Sequence, residues 1–156
     1  MNKLKQNFNV AVIGLGVGEM HLKGYIKNHN TTVLYAADKD SSKIRALKKK
    51  YKEIKFIQNS NKIFEDPNVD IVSIATYDDS HYELIIKDIE NNKHIFVEKP
   101  MCQFSWQLNK IEKKLKEKKL ILFSNLILRK SKLFIDLKKK NIQKFFWKNF
   151  SYRSRL

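Results

Sequence analysis

Short apolar runs alternate along this chain with longer stretches whose apolar residues recur every three or four positions, and that alternation admits few folds. The runs are "NVAVIG", "TTVLYAAD", "IKFI", "VDIVSIAT", "HIFVEK" and "LILFSN". Between them lie "MHLKGYIKNH", "SSKIRALKKKYK", "NKIFED", "SHYELIIKDIENNK" and "SWQLNKIEKKLKEK". Strands joined by helices of about three turns are βαβ units, which build a parallel sheet with helices on both faces. The expected fold class is therefore α/β, a doubly wound parallel sheet. "VDIVSIAT" is almost continuously apolar and β-branched, as a central strand covered on both faces must be. Tyr82, Ile85, Ile86 and Ile89 take the spacing of a helix lying on that sheet, with Ser80 as the expected N-cap.

The chemistry begins at the first strand's end. "VAVIGLGVGEMH" puts Gly14 and Gly16 between a strand and a helix. There the first glycine permits a tight turn, the second lets the backbone approach a pyrophosphate, and the helix beyond offers free N–H groups. Gly18 comes one position earlier than the usual third glycine, and Glu19 stands where that glycine is expected. Glu19 reads in two ways: as a carboxylate crowding the anion site, or as a first-turn acid that complements the helix dipole. Asp38 closes the second strand, about 20 residues on, where a carboxylate accepts a ribose diol. By itself Asp38 is equally a strand-end turn acid. Lys39 beside it suits the 2′-phosphate of NADP, so the residues leave NAD and NADP both open.

"GLGVGEMH", Asp38, "VDIVSIAT" with His81 beyond it, and the "EKP" of Glu98, Lys99 and Pro100 resemble, in this order and spacing, the Gfo/Idh/MocA family of glucose-fructose oxidoreductase and inositol dehydrogenase. The resemblance runs from about Asn9 to Tyr152. It implies an N-terminal Rossmann domain, over residues 1–125, that binds NAD or NADP, and oxidation or reduction of a sugar, polyol or related carbonyl compound. Carried over by position, Gly14, Gly16 and Gly18 match the phosphate turn and Asp38 the ribose contact. Thr76, Tyr77 and Asp78 stand where the family has Thr-Pro-Asn on the nicotinamide side, so Tyr77 and Asp78 depart from its pattern. His81 matches the histidine opening the next helix and is expected to contact the cofactor, the alternative being a helix-start histidine on the sheet edge; Glu98 and Lys99 match the cofactor-contacting pair, and Asn125 and Arg129 a segment ending in arginine. Lys99 is the expected catalytic group, because an ammonium can hydrogen-bond a substrate oxygen as its charge changes during hydride transfer.

Family members continue into a second α/β domain that shapes the substrate pocket. Residues 126–156 read as one helix and the first strand of that domain, "KFFWKNFSYR", whose Phe145, Phe146, Trp147, Phe150 and Tyr152 cannot bury their apolar face unaided. Pairing with a second copy or another chain through that strand is the expectation, and a cofactor-binding module without turnover is the alternative function.

Charge decides less. Of the formal +16, residues 1–100 hold 16 Lys and Arg against 13 Asp and Glu, and residues 101–156 hold 16 against 3. "KIEKKLKEKK" could contact nucleic acid, but Leu108, Ile111 and Leu115 place its lysines on the outer face of a packed helix. No zinc-ligand set or nucleic-acid-binding signature accompanies it, so nucleic acid is not an expected partner. Cys102 is the single cysteine, which excludes an intrachain disulfide, and it reads as a small buried hydrophobe. "MNKLKQNF" lacks the apolar core of a signal peptide, and "LILFSNLIL" is too short to span a bilayer. A cytoplasmic protein in contact with no membrane is the expectation.

Overall fold

The computed structural model describes residues 7–139, with side chains to residue 136. Six strands form one sheet in the order β3-β2-β1-β4-β5-β6: β1 (Phe8–Ile13), β2 (Thr31–Ala37), β3 (Lys55–Ile57), β4 (Ile71–Ile74), β5 (His94–Val97) and β6 (Leu122–Ser124). Every neighbouring pair is parallel. Helices α1 (Gly18–Lys27), α2 (Ser41–Lys50), α3 (Asn61–Glu65), α4 (Asp78–Glu90) and α5 (Ser105–Lys118) make the connections. This is the doubly wound order, in which β1 and β4 are adjacent and the chain leaves them in opposite directions.

Alternation along the strands sorts the core into two layers. Ala11, Ile13, Val72, Ile74, Ile95 and Val97 face Ile63, Phe64, Ile85, Ile89 and Ile111 of α3, α4 and α5. On the other face Val12, Val33 and Ala36 meet Leu22 of α1 and Leu47 of α2. Leu22, Ile85, Ile89 and Ile111 are fully buried, and each such side chain contributes about 1.5–3 kcal/mol of transfer free energy.

Two helix starts differ in kind. Asp40 caps α2, its carboxylate accepting the Ser42 N–H at 2.8 Å. Helix α4 begins two residues before the expected Ser80 cap, with Tyr77 as its N-cap residue. The Ser80 hydroxyl instead donates to the Tyr77 carbonyl and shares a bond with the Thr76 hydroxyl, both at 2.8 Å. Asp78 and Asp79 complement the dipole of that first turn.

Contacts divide the chain after Asn125. In the following unit a 3₁₀ turn (Ile127–Lys130) leads to α6 (Lys132–Lys139), where "LRKSKLFIDLKKK" predicts one helix throughout. Ser131 Oγ accepts the Phe134 N–H at 3.4 Å, consistent with a restart at that residue. The aromatic segment 144–153, and with it the pairing expected of it, lies outside the described residues. No helix among the described residues is long and apolar enough to cross a membrane.

Candidate cofactor site

Strand register assembles the site. Ile13 pairs with Ala37 on one side and Ile74 on the other, and Ile74 pairs with Val97. The residues that follow continue the ladder: Gly14 N–H bonds the Ala37 carbonyl, Ala75 N–H that of Ile13, Glu98 N–H that of Ile74, and Asn125 N–H that of Val97, at 2.8–2.9 Å. Asp38, Gly14, Ala75, Glu98 and Asn125, spread over most of the chain, therefore stand in one row at the carboxyl ends of the strands. Ligands bind open α/β sheets along such a row, where the strand order reverses.

The three glycines divide the work of the turn. Gly14 has φ +89° and is buried against β4, where an added Cβ would lie 2.4 Å from the Ala75 carbonyl oxygen. Only glycine fits there. Gly18 lays the start of α1 on the sheet, since a Cβ would come within 3.1 Å of Val12 Cγ1 and 3.3 Å of Ala75 Cβ. It thus fills the packing role of the third glycine one position early. Gly16 is exposed, and a Cβ there would meet nothing within 4 Å. The N–H groups of Gly14, Leu15, Glu19 and Met20 are satisfied by protein acceptors. Those of Gly16, Val17 and Gly18 have no protein partner among the described residues. Free amides around open space at a helix start fit a diphosphate.

Glu19 does not occupy that space. Lys50 donates to its Oε1 at 2.7 Å, Lys23 pairs with it at 3.2 Å and the Tyr51 hydroxyl lies at 3.4 Å. The Lys50 and Lys23 ammonium groups hold its carboxyl below the usual range, and its charge is matched from the end of α2 and from its own helix. Asp38 combines both sequence readings: Oδ2 accepts the Leu15 N–H at 2.7 Å, tying the turn to β2, and Oδ1 accepts the Asp40 N–H at 2.8 Å. Lys43 stands 3.7 Å from Oδ2. Each oxygen retains a lone pair, so the carboxylate can brace the turn and accept a further donor.

Beyond β4, Thr76 is half-buried and Tyr77 is 83% exposed at the mouth of the crevice. His81 lies beneath them and is completely buried. Its Nδ1 is 2.7 Å from the Pro100 carbonyl oxygen and its Nε2 3.2 Å from that of Thr76. Both ring nitrogens face backbone carbonyl oxygens, so His81 sits as a brace between the Thr76 turn and the Lys99–Pro100 turn, with neither nitrogen turned to the crevice. Lys99 is exposed at the end of β5, and the Lys99–Pro100 peptide is cis. Cys102 is half-buried against the α4–α5 layer, and burial pushes its thiol up, away from a nucleophile. Arg129 falls on the 3₁₀ turn of the following unit.

The sequence reading assigned no role to His21, which the structure puts at the centre of the row. Its Nε2 is 3.0 Å from Glu98 Oε1 and its Nδ1 2.8 Å from Ser73 Oγ. Asn125 Nδ2 donates to the same Oε1 at 2.6 Å. Burial raises the Glu98 carboxyl, but the hydrogen bonds from Asn125, His21 and the Lys99 N–H outweigh it and hold the group below the usual carboxylate range. Carboxylate, imidazole and serine in sequence have the connectivity of a hydrolytic triad. Ser73, however, is completely buried on β4, so its hydroxyl reaches no substrate. A signal for His21 was present: one turn past Gly18, it shares with Leu22 and Tyr25 the face of α1 that Gly18 sets on the sheet.

Residues 8–126 match an oxidoreductase family with an NAD-binding Rossmann fold. The chain belongs to the Gfo/Idh/MocA family. Among curated proteins it is similar to myo-inositol 2-dehydrogenase of Thermotoga maritima, 31% identical over 131 residues, which are 83% of this chain and 39% of that protein. Similarity also extends to the NAD⁺-dependent scyllo-inositol 2-dehydrogenase of Bacillus subtilis, 28% identical over 73% of this chain and 34% of that one. Among solved structures, an NAD-binding protein from Listeria innocua superimposes with a TM-score of 0.78 at 27% identity, over 87% of this chain and 41% of its own. Myo-inositol 2-dehydrogenase of Lactobacillus plantarum shares the fold, with a TM-score of 0.77 at 23% identity. The chain thus spans well under half the length of these Gfo/Idh/MocA relatives.

Proposed function

We propose that this chain binds NAD along the strand-end row and, within an oxidoreductase acting on a polyol or sugar, presents it to a carbon bearing a hydroxyl. The open cradle at Gly16 carries the reading. The amides of Gly16, Val17 and Gly18 hold the diphosphate, and the residual lone pairs of Asp38 accept the adenosine ribose diol. The negative charge of Asp38 disfavours a 2′-phosphate, so the cofactor is NAD in preference to NADP. Thr76 and Tyr77 border the nicotinamide side, with His81 as the buried brace beneath them. Glu98 and Lys99 close the row.

NAD supplies a hydride acceptor at that end of the crevice. The Lys99 side chain, exposed where β5 ends, holds the substrate hydroxyl oxygen; as the neutral amine it accepts the hydroxyl proton while the alcohol becomes a carbonyl, and as the ammonium so formed it returns that proton in the reverse direction. Inositol dehydrogenases among the relatives support a polyol substrate.

Fluorescence titration with NADH tests the reading, using Gly16→Val. The substitution meets nothing in the protein itself, so the variant melts like the parent chain while losing NADH affinity by tenfold or more, an effect of about 1.4 kcal/mol. Equal affinity in the two would remove the cradle from the binding site. Turnover is tested separately with NAD⁺ and myo-inositol. Binding without turnover is the result expected of a cofactor-binding module.

A further inference from the structure

We propose that His21 is a positioning residue: by donating from Nε2 to Glu98 Oε1 it keeps the second carboxylate oxygen, Oε2, turned to the crevice as an acceptor for a hydroxyl of bound NAD. The inference rests on the nucleotide reading above. An ionised carboxylate only accepts hydrogen bonds, so in the neutral ring Nε2 must carry the proton and Nδ1 must accept from the Ser73 hydroxyl. The Ser73 hydroxyl thus donates to the ring and the ring to Glu98, which gives the two bonds a single direction.

The consequence lies in how the two oxygens of Glu98 are used. Oε1 takes both short bonds, 3.0 Å from His21 and 2.6 Å from Asn125. Among the described residues Oε2 takes only the Lys99 N–H, at 3.3 Å. The donors on Oε1 come from α1 and from the end of β6, on opposite sides of β5, so the carboxylate cannot rotate without breaking one. The His21 ring is itself held edge-on by Phe96, centroids 5.2 Å apart, and only 7% of its side chain is exposed. A clamped oxygen and a lightly used one beside it, next to Lys99, suit a ligand that brings a hydroxyl donor. Oriented partners of this kind tune a contact they never touch.

Two near-isosteric variants separate the nitrogens. His21→Gln keeps an N–H donor at the place of Nε2, whereas His21→Asn keeps a polar atom near Nδ1 and loses the reach to Glu98. Calorimetric titration of the full 156-residue chain with NADH is expected to give His21→Gln within about threefold of the parent and His21→Asn about tenfold weaker. In a Glu98→Gln background His21→Asn should cost nothing more, because an amide NH2 already replaces the accepting oxygen that His21 holds in place. Wild-type affinity in His21→Asn, equal loss in both variants, or multiplying losses with Glu98→Gln would each overturn the proposal. Melting without ligand identifies a misfolded variant. If His21→Asn does not melt cooperatively, folded His21→Gln decides: affinity within threefold supports the donor, and a tenfold loss overturns it. A parent chain that does not bind NADH overturns the nucleotide reading, and the inference falls with it. Parent binding that is indifferent to His21 overturns the inference alone.

Discussion

Gly14 and Gly16 are two positions apart, yet they answer to different masters. A side chain at Gly14 collides with the Ala75 backbone whether or not any ligand is present, and its positive φ adds a backbone penalty. Gly14→Ala should therefore destabilise the fold by about 3 kcal/mol or more, visible as a lower denaturation midpoint without NADH. Gly16→Val should leave that midpoint in place. Asp88 poses the opposite case, a residue that costs stability where it stands. It is completely buried on α4 and neither carboxylate oxygen has a hydrogen-bond partner among the described residues. Burial drives its pKa well above the usual value, with nearby Lys93 offsetting only part of the effect. A carboxyl raised in the folded state stabilises fully only below its unfolded pKa, near 4, and stability drains away as pH rises toward the folded value. Asp88→Asn should thus raise stability at neutral pH by about 1–2 kcal/mol and flatten the pH profile of the melting temperature.

At the level of elements, the bond network around Glu98 joins α1, β4, β5 and β6 through side chains. Its sign in acid is the reverse of that at Asp88. The Glu98 carboxyl is held below its usual range, so its contribution is complete above about pH 4.5 and is lost as pH falls through the folded pKa. Glu98→Gln should lower stability at neutral pH and remove part of the acid sensitivity, measured by denaturant midpoints from pH 3 to 7. Helix α4 shows how far local pattern carries. Its apolar face was legible from Tyr82, Ile85, Ile86 and Ile89, because helical periodicity is a property of one segment. Its start was not, because Ser80 turns back to Thr76 and Tyr77 instead of capping. Which acceptor a serine chooses depends on the turn before it.

For the whole molecule, the strand order puts the diphosphate cradle and Asp38 on one flank of the reversal and Glu98 with Lys99 on the other. Selectivity for the cofactor follows from the first flank. The parent chain should bind NADH more tightly than NADPH, and Asp38→Ala should lower NADH affinity about tenfold while narrowing the gap between the two, read by competitive titration. Loss of the Leu15 anchor adds to that effect, so the NADH-to-NADPH ratio is the informative quantity. Two lysines of the basic excess have defined partners on helix faces: Lys50 with Glu19, which it helps to hold out of the cradle, and Lys114 with Glu90.

Sequence alone determined the order of the elements, the faces of the helices and the glycine turn, because each rests on periodicity or on backbone sterics within a few residues. It also pointed to Asp38 through its position at a strand end, and to Glu98 and Lys99 through the family resemblance. Only the tertiary structure decided where Glu19 turns, that His81 is a buried brace, that Gly18 serves as the packing glycine, and that His21 meets Glu98. His21 and Glu98 are 77 residues apart in the chain. They meet because parallel register brings the ends of β4 and β5 level with the first turn of α1, and register between distant strands belongs to no single stretch of sequence.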